Sequence, residues 1–233
     1  MYRPRPNDDL FSGGPPREVY HVTTSRTELL HLFIAWSVLT VDIALVRDQI
    51  SVLGAPAIVA VNAFVGSLGI AAVAALSGFV AHEMAHKVVA QRHGFWAEFR
   101  MSLAGLFFSL ATALFGFLFA LPGATMIGGM GDTREWGRTS LAGPVVNLGE
   151  GAVFLAAAFA SIPLARSEAL WAALVFLAFV NGVFASFNLL PFGPLDGAKV
   201  LRWSRPLWVG AFGAALLFTA GVLVVLLFAA PVF

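Results

Sequence analysis

Two histidines stand four residues apart, with a glutamate between them, in the segment His82-Glu83-Met84-Ala85-His86. On an α-helix, residues at positions i and i+4 lie on the same face, so both imidazoles can reach one metal ion. This pattern is typical of a zinc site in which both histidines bind the metal and the glutamate is the general base. We therefore predict His82 and His86 as zinc ligands and Glu83 as the base of a hydrolytic site.

The composition is that of an integral membrane protein. Of the 233 residues, 59% are hydrophobic and 12% are charged, and the chain contains no cysteine. Soluble domains have about 45–50% apolar residues, so we expect this chain to lie in a lipid bilayer. The lack of cysteine excludes thiolate ligands for the zinc. A net charge of +1 is no signature of nucleic-acid binding, and we expect no nucleic-acid partner.

A zinc site with two histidines needs a further protein ligand, and Asp196 is the best candidate. It follows the segment Asn188-Leu189-Leu190-Pro191-Phe192-Gly193-Pro194-Leu195, whose prolines and glycine break a helix and hold the aspartate in a turn. Alone, such a segment is more often a helix cap. Beside a histidine pair, it predicts a metal ligand.

Six apolar runs approach the length of about 20 residues that spans a bilayer. If all six crossed, Asp196 and the histidines would lie on opposite faces of the membrane and could not share an ion. The run Ser102–Leu121 contains two glycines and precedes Pro122-Gly123, so we expect it to fold back as a re-entrant hairpin. The other five are Leu29–Val46, Val65–Gln91, Ser140–Ile162, Ala169–Leu190 and Leu207–Ala230.

The positions of lysine and arginine favour five crossings over six. Six crossings divide these cations 8 to 6 between the two faces, whereas five crossings divide them 12 to 2. We predict an all-α, multi-pass protein of the cell membrane with about five transmembrane helices and a cytoplasmic N-terminus. Its metal site lies near the cytoplasmic face, and Lys87 snorkels from the site to the surface.

Three short segments have the alternating pattern of extended backbone: Glu18–Thr23, Trp96–Arg100 and Ala124–Ile127. They suit either ordinary connecting loops or the strands of a small membrane-associated β-sheet. The segment Ser25-Arg26-Thr27-Glu28 predicts a capping box at the start of the first helix.

Three motifs together resemble the signatures of the site-2 proteases: His82 to His86, Ala142-Gly143-Pro144-Val145-Val146-Asn147, and Asn188 to Gly197. The resemblance implies a site-2 protease-like core and zinc-dependent hydrolysis of peptide bonds within or next to transmembrane segments of membrane proteins. It implies that His82, His86 and Asp196 bind Zn²⁺, that Glu83 is catalytic, and that Asn147 supports the substrate or the transition state. The resemblance covers about residues 66–205. That core belongs to a single transmembrane protease domain, residues 25–233, after a polar tail, residues 1–24.

The segment that starts at Ala124 resembles the family's membrane-embedded strand, which pairs with an unwound substrate. A substrate helix hides its amides in internal hydrogen bonds, and an edge strand offers the freed amides new partners. The resemblance thus implies that Ala124, Thr125, Met126 and Ile127 bind a transmembrane protein or peptide substrate.

Two other functions use the same residues. A metal-ion transporter or channel also needs histidine and aspartate within the membrane, although it needs no base beside them. A catalytically silent scaffold would bind membrane segments without cutting them. Glu150, in the apolar run before Ile162, is open to three interpretations: a proton relay, an alternative ligand, or a protonated carboxyl bonded to a neighbouring helix.

Overall fold

The structure is a computed structural model that describes residues 22–48, 57–129, 131–165 and 167–228. These residues form a bundle of α-helices and one two-stranded sheet. The helices are α1 Arg26–Arg47, α2 Ala57–Ala75, α3 His82–Arg92, α4 Leu103–Leu114, α5 Thr133–Ala165, α6 Glu168–Asn188, α7 Asp196–Trp203 and α8 Arg205–Phe228. A π-helical segment, Leu76–Ala81, joins α2 to α3.

Five helices in the described part of the chain are long and apolar enough to cross a membrane. They are α1, the continuous helix Val61–Arg92, α5, α6 and α8. Three of them contain the predicted run and extend it by a few residues, whereas α6 ends at Asn188, two residues before the predicted end, and α8 is described only as far as Phe228. Helix α4 has 12 residues, about 18 Å of helix, and cannot span a hydrocarbon core of about 30 Å. The described part of the chain thus has the predicted number of membrane-length helices.

The run Ser102–Leu121 forms a hairpin. Helix α4 ends in a turn at Gly116, where φ is +88°, and the chain then returns. The Ser102 N–H donates to the Pro122 carbonyl at 2.8 Å and closes the hairpin. A side chain at Gly105 would collide with the Leu121 carbonyl, its Cβ only 1.8 Å from that oxygen, so this close approach requires glycine. The segment begins and ends beside the same sheet, as expected of a chain that does not cross the membrane.

The sheet consists of β1, Trp96–Met101, and β2, Gly123–Gly128, which pair antiparallel with Phe99 opposite Thr125. Two of the three candidate strands are thus strands. The third, Glu18–Thr23, lies outside the described residues except for its last two.

The bundle packs through small residues. On α1, Leu39 and Ile43 are buried against α2, where Ala71 and Ala74 let the two backbones approach closely. Helix α4 is joined to α1 by a hydrogen bond of 2.7 Å from the Ser109 hydroxyl to the Asp42 carboxylate. These contacts fix the hairpin against the first helix.

The start of α1 differs from the sequence-based expectation. Ser25 caps the helix by accepting the Glu28 N–H at 3.1 Å, as predicted, but the Glu28 side chain does not complete a capping box. It forms a fully buried ion pair with Lys87 and accepts the Phe99 N–H at 3.0 Å. Lys87 also donates to the Thr24 hydroxyl at 2.8 Å, so the prediction that it snorkels is wrong. A buried ammonium is stabilised by an opposite charge without having to reach water.

Candidate functional site

Helix α3 carries the histidine pair directly after the π-helical segment. A π turn leaves backbone carbonyls without their usual helical partners. The Asn147 side-chain N–H of α5 donates to the Gly78 carbonyl of this segment at 2.9 Å, and its amide oxygen accepts from His82 Nδ1 at 2.5 Å. Asn147 therefore connects the irregular turn to the imidazole that follows it.

Asp196 begins α7, after a turn in which Gly193 has a φ of +62°. The turn is tight: a Cβ on Gly197 would lie 2.0 Å from the Leu189 carbonyl oxygen. This geometry directs the Asp196 carboxylate at the histidines. Its Oδ2 lies 3.3 Å from His82 Nε2 and 3.0 Å from His86 Nε2. The three predicted ligands are thus brought together from distant parts of the chain, and all three are buried.

The three residues fit a zinc ion. Zinc bonds of about 2.0–2.1 Å in a tetrahedron place ligand atoms about 3.3 Å apart. The two Nε2 atoms and Oδ2 are separated by 3.0 to 3.3 Å. His86 Nδ1 lies 2.7 Å from the Thr139 carbonyl oxygen and His82 Nδ1 faces the Asn147 amide oxygen, so both Nδ1 atoms must donate. When both imidazoles are neutral, their Nε2 atoms present lone pairs toward the carboxylate, an arrangement that a cation would stabilise.

The carboxylate of Asp196 is ionised, as a zinc ligand requires. Burial by itself raises its pKa. When the imidazoles are protonated, the positive charge of His86 and the hydrogen bonds from His82 and His86 outweigh this effect and hold the pKa of the Asp196 carboxyl below its usual range.

Helix α5 passes directly beside the candidate metal ligands. A Cβ on Gly143 would lie 2.6 Å from the Nε2 atoms of both His82 and His86. The motif Ala142 to Asn147 therefore has two separate functions here. Gly143 leaves space at the ligand atoms, and Asn147, one turn later on the same face, orients His82.

The ligands open into a cavity of about 180 Å³ between α3, α6, α7 and β2. Glu83 lines it, together with the predicted strand residues Ala124, Thr125 and Ile127. Met126 lies on the opposite face of the strand and is 53% exposed. The remaining wall is largely apolar and includes Phe79, Leu118, Val183, Phe184 and Phe187.

Two relatives place these features in a family. "Putative zinc metalloprotease MJ0611" of Methanocaldococcus jannaschii is 38% identical over 141 residues, which is 60% of this chain and 72% of that protein. The chain belongs to the site-2 protease family. "Putative zinc metalloprotease Rip3" of Mycobacterium tuberculosis is 35% identical over 138 residues, 58% of this chain but only 31% of that longer protein. No family model and no solved structure matches the chain.

The structure of this site-2 protease homologue adds cavity residues that the motifs did not identify. Asn188, Thr139, Ser140 and Lys199 line the cavity, and Lys199 Nζ lies 3.5 Å from the second oxygen of Asp196. Asn188 is the first residue of the third motif, so the sequence could have identified it as a cavity residue. Thr139 contributes a backbone carbonyl to His86, and a carbonyl has no signature in sequence.

Two further polar residues of this family member lie outside the cavity. Asn181 is buried on α6, accepts from Asn147 at 3.1 Å and donates to the Ser77 hydroxyl at 2.9 Å, which holds α6, α5 and the π-helical segment together. Glu150 is not in the metal-binding group and instead lines a separate open pocket on α5 with Val146 and Val153.

Proposed function

We propose that the protein is an intramembrane zinc endopeptidase of the site-2 type that hydrolyses peptide bonds within or next to transmembrane segments of membrane protein substrates. One observation carries this proposal: His82, His86, Asp196 and Glu83 line one cavity in a chain with five membrane-length helices. Membership of a family whose relatives are named as zinc metalloproteases supports the choice of metal and reaction.

Each residue of the group has a chemical role in this proposal. His82, His86 and Asp196 would hold the zinc ion, which would supply Lewis-acid chemistry, polarising a carbonyl and acidifying water. Glu83 takes a proton from the attacking water and delivers it to the nitrogen of the leaving segment. Asn147 supports the site through His82, whose tautomer it sets.

The sheet offers one edge for an added substrate strand. The outer edge of β1 is covered by side chains: Glu28 accepts the Phe99 N–H, and Gln91 donates to the Ala97 carbonyl at 3.0 Å. Covered edges do not accept further strands. The edge of β2 instead faces the cavity, next to the predicted ligands; Glu83 accepts the Thr125 N–H of this edge at 2.8 Å, so we propose that the substrate pairs beyond this position, at Ile127. A substrate that unwinds beside β2 would exchange its helical hydrogen bonds for bonds to this edge.

The proposed setting follows from charge and hydropathy. We place the protein in the cell membrane as a single transmembrane protease domain, residues 25–233, with the polar tail, residues 1–24, in the cytoplasm. The active site then lies near the cytoplasmic face, where the excess of lysine and arginine is found. The substrate is a transmembrane protein or peptide, and no nucleic acid takes part.

The test uses purified full-length protein and a panel of single-span substrates, with cuts mapped by mass spectrometry. We expect cuts within or next to the transmembrane segment, lost on addition of a chelator. Glu83→Gln should bind zinc as the wild type does but cleave about 10²- to 10⁴-fold more slowly, because it lacks the base. Full cleavage by Glu83→Gln would remove Glu83 from the mechanism. If the protein instead carried zinc into proteoliposomes and cut none of the substrates, the transporter hypothesis would replace the protease hypothesis.

A further inference from the structure

The side chain of Glu83 is held by one residue of the edge strand. Thr125 donates its backbone N–H to Glu83 Oε2 at 2.8 Å and lies with its hydroxyl 2.7 Å from the same oxygen. The hydroxyl is also 3.1 Å from the Glu83 carbonyl oxygen. These contacts join β2 to the first turn of α3, between residues that are 42 positions apart.

The backbone N–H of Thr125 is available for this contact because of the register of the sheet. In an antiparallel pair, opposite residues either bond to each other or both point their N–H and C=O groups away. Phe99, which is opposite Thr125, directs its N–H out of the sheet to Glu28. Thr125 must therefore direct its own N–H to the other side, toward the cavity and Glu83.

We propose that Thr125 is a positioning residue for Glu83, an inference that rests on the proposed function. Its two donors hold Oε2 against β2, so that Oε1 is the oxygen that takes the proton from water. A free glutamate side chain samples many rotamers, and a base is effective only within hydrogen-bonding distance of its proton donor. The strand that receives the substrate therefore also orients the base.

The first experiment separates this role from a general structural one. Thr125→Val keeps the shape of the side chain and the backbone N–H but lacks the hydroxyl. Because the variant loses one hydrogen bond to a charged group, its kcat should fall by about 10- to 100-fold. KM and zinc content should stay at wild-type values. Thr125→Ser restores the hydroxyl, and its kcat should remain within about threefold of wild type.

Thr40→Val is the matched control, because it makes the same change on α1, where the hydroxyl bonds to the Trp36 carbonyl. Its kcat should equal that of wild type. The positioning role would be overturned if Thr125→Val had the wild-type kcat, or if the valine and serine variants lost equal amounts of kcat. In either case, cleavage by the wild type would still support the proposed function. If the wild type cuts no substrate, the proposed function itself fails.

Amide hydrogen exchange tests the contact without any substrate. In the full-length protein in detergent, Glu83→Ala removes the acceptor, so the Thr125 amide should exchange at least about tenfold faster. The neighbouring Met126 amide, whose opposite residue in β1 is Glu98, should exchange at the wild-type rate. An unchanged Thr125 rate would show that Glu83 does not hold this amide.

Discussion

Gly143 shows how the absence of a side chain can be part of a metal site. Helix α5 passes close to the Nε2 atoms at this residue, where a methyl group would lie 2.6 Å from both of them. Carbon and nitrogen that are not bonded do not approach so closely, so either the helix or the imidazoles must move. Either movement separates ligand atoms that now lie at the spacing of a zinc tetrahedron.

We predict that Gly143→Ala loses zinc while the helices remain intact. Zinc content, measured by plasma mass spectrometry on purified protein, should fall from about one ion per chain to a small fraction of that value. Gly149→Ala on the same helix is the control, because its new methyl group would meet no neighbouring side chain or helix of the described chain within 4 Å. Equal zinc contents in the two variants would show that α5 does not limit the ligand geometry.

The connections between helices and strands depend on buried polar groups. The pair Glu28–Lys87 joins the start of α1 to α3, one residue after His86, and Glu28 also accepts from β1 at Phe99. Gln91, one turn after Lys87, receives the Thr23 N–H at 2.9 Å and donates to β1. The first helix thus fixes the orientation of the metal-binding helix relative to the sheet, a function that its apolar sequence did not suggest.

We predict that replacing Lys87 alone lowers the stability of the protein more than replacing Glu28 and Lys87 together. Lys87→Met leaves a buried carboxylate without its cation, a loss of about 3–5 kcal/mol in comparable sites. The double variant Glu28→Gln/Lys87→Met has no buried charge and retains an acceptor for Phe99. Its thermal midpoint in detergent should therefore lie above that of Lys87→Met. A double variant that is less stable than both single variants would contradict a simple charge pair.

Strand addition at β2 can be tested at Ile127. Ala97, its opposite residue, directs its carbonyl out of the sheet to Gln91, so the Ile127 N–H points toward the open edge and not toward β1. Proline is tolerated at such edge positions. Ile127→Pro should keep its zinc yet lower kcat/KM by about tenfold or more, the value of one hydrogen bond. Ile127→Val retains the N–H and should cleave normally. Equal cleavage by both variants would exclude pairing at this position.

The whole molecule satisfies a topological constraint. Asp196 and the histidine pair meet only if an even number of crossings separates them, and the hairpin around α4 provides this by returning to the sheet where it began. The surfaces of the bundle are apolar as well as its core; Leu217 of α8, for example, is 77% exposed. Such surfaces are stable in lipid and not in water.

Single-cysteine labelling can determine the orientation, because the chain contains no cysteine of its own. Arg134 lies at the start of α5 and Glu168 at the start of α6, and both are exposed. With the N-terminus in the cytoplasm, an impermeant maleimide added to intact cells should label Glu168→Cys and not Arg134→Cys. Lysed cells should label both, and the unmodified chain neither. The reverse pattern in intact cells would invert the proposed orientation.

Local rules were sufficient for the parts of this protein that depend on neighbours in sequence. Helical periodicity places His82 and His86 on one face, and the lengths of the apolar runs, once Ser102–Leu121 is set aside as a hairpin, identify the five membrane-length helices. Asp196, far along the chain, was proposed from its motif, and the need for it to reach the histidines then limited the number of membrane crossings, because the bilayer separates its two faces.

The remaining contacts required the folded structure, since they join residues that no local pattern relates. The sequence around Lys87 does not distinguish a side chain that snorkels to water from one that pairs with Glu28, 59 residues away. The sequence predicts Thr125 only as part of a strand. The direction of its N–H, toward Glu83, depends on the register between β1 and β2. The partner of a polar side chain depends on which helices and strands pack together, and packing is a property of the whole chain.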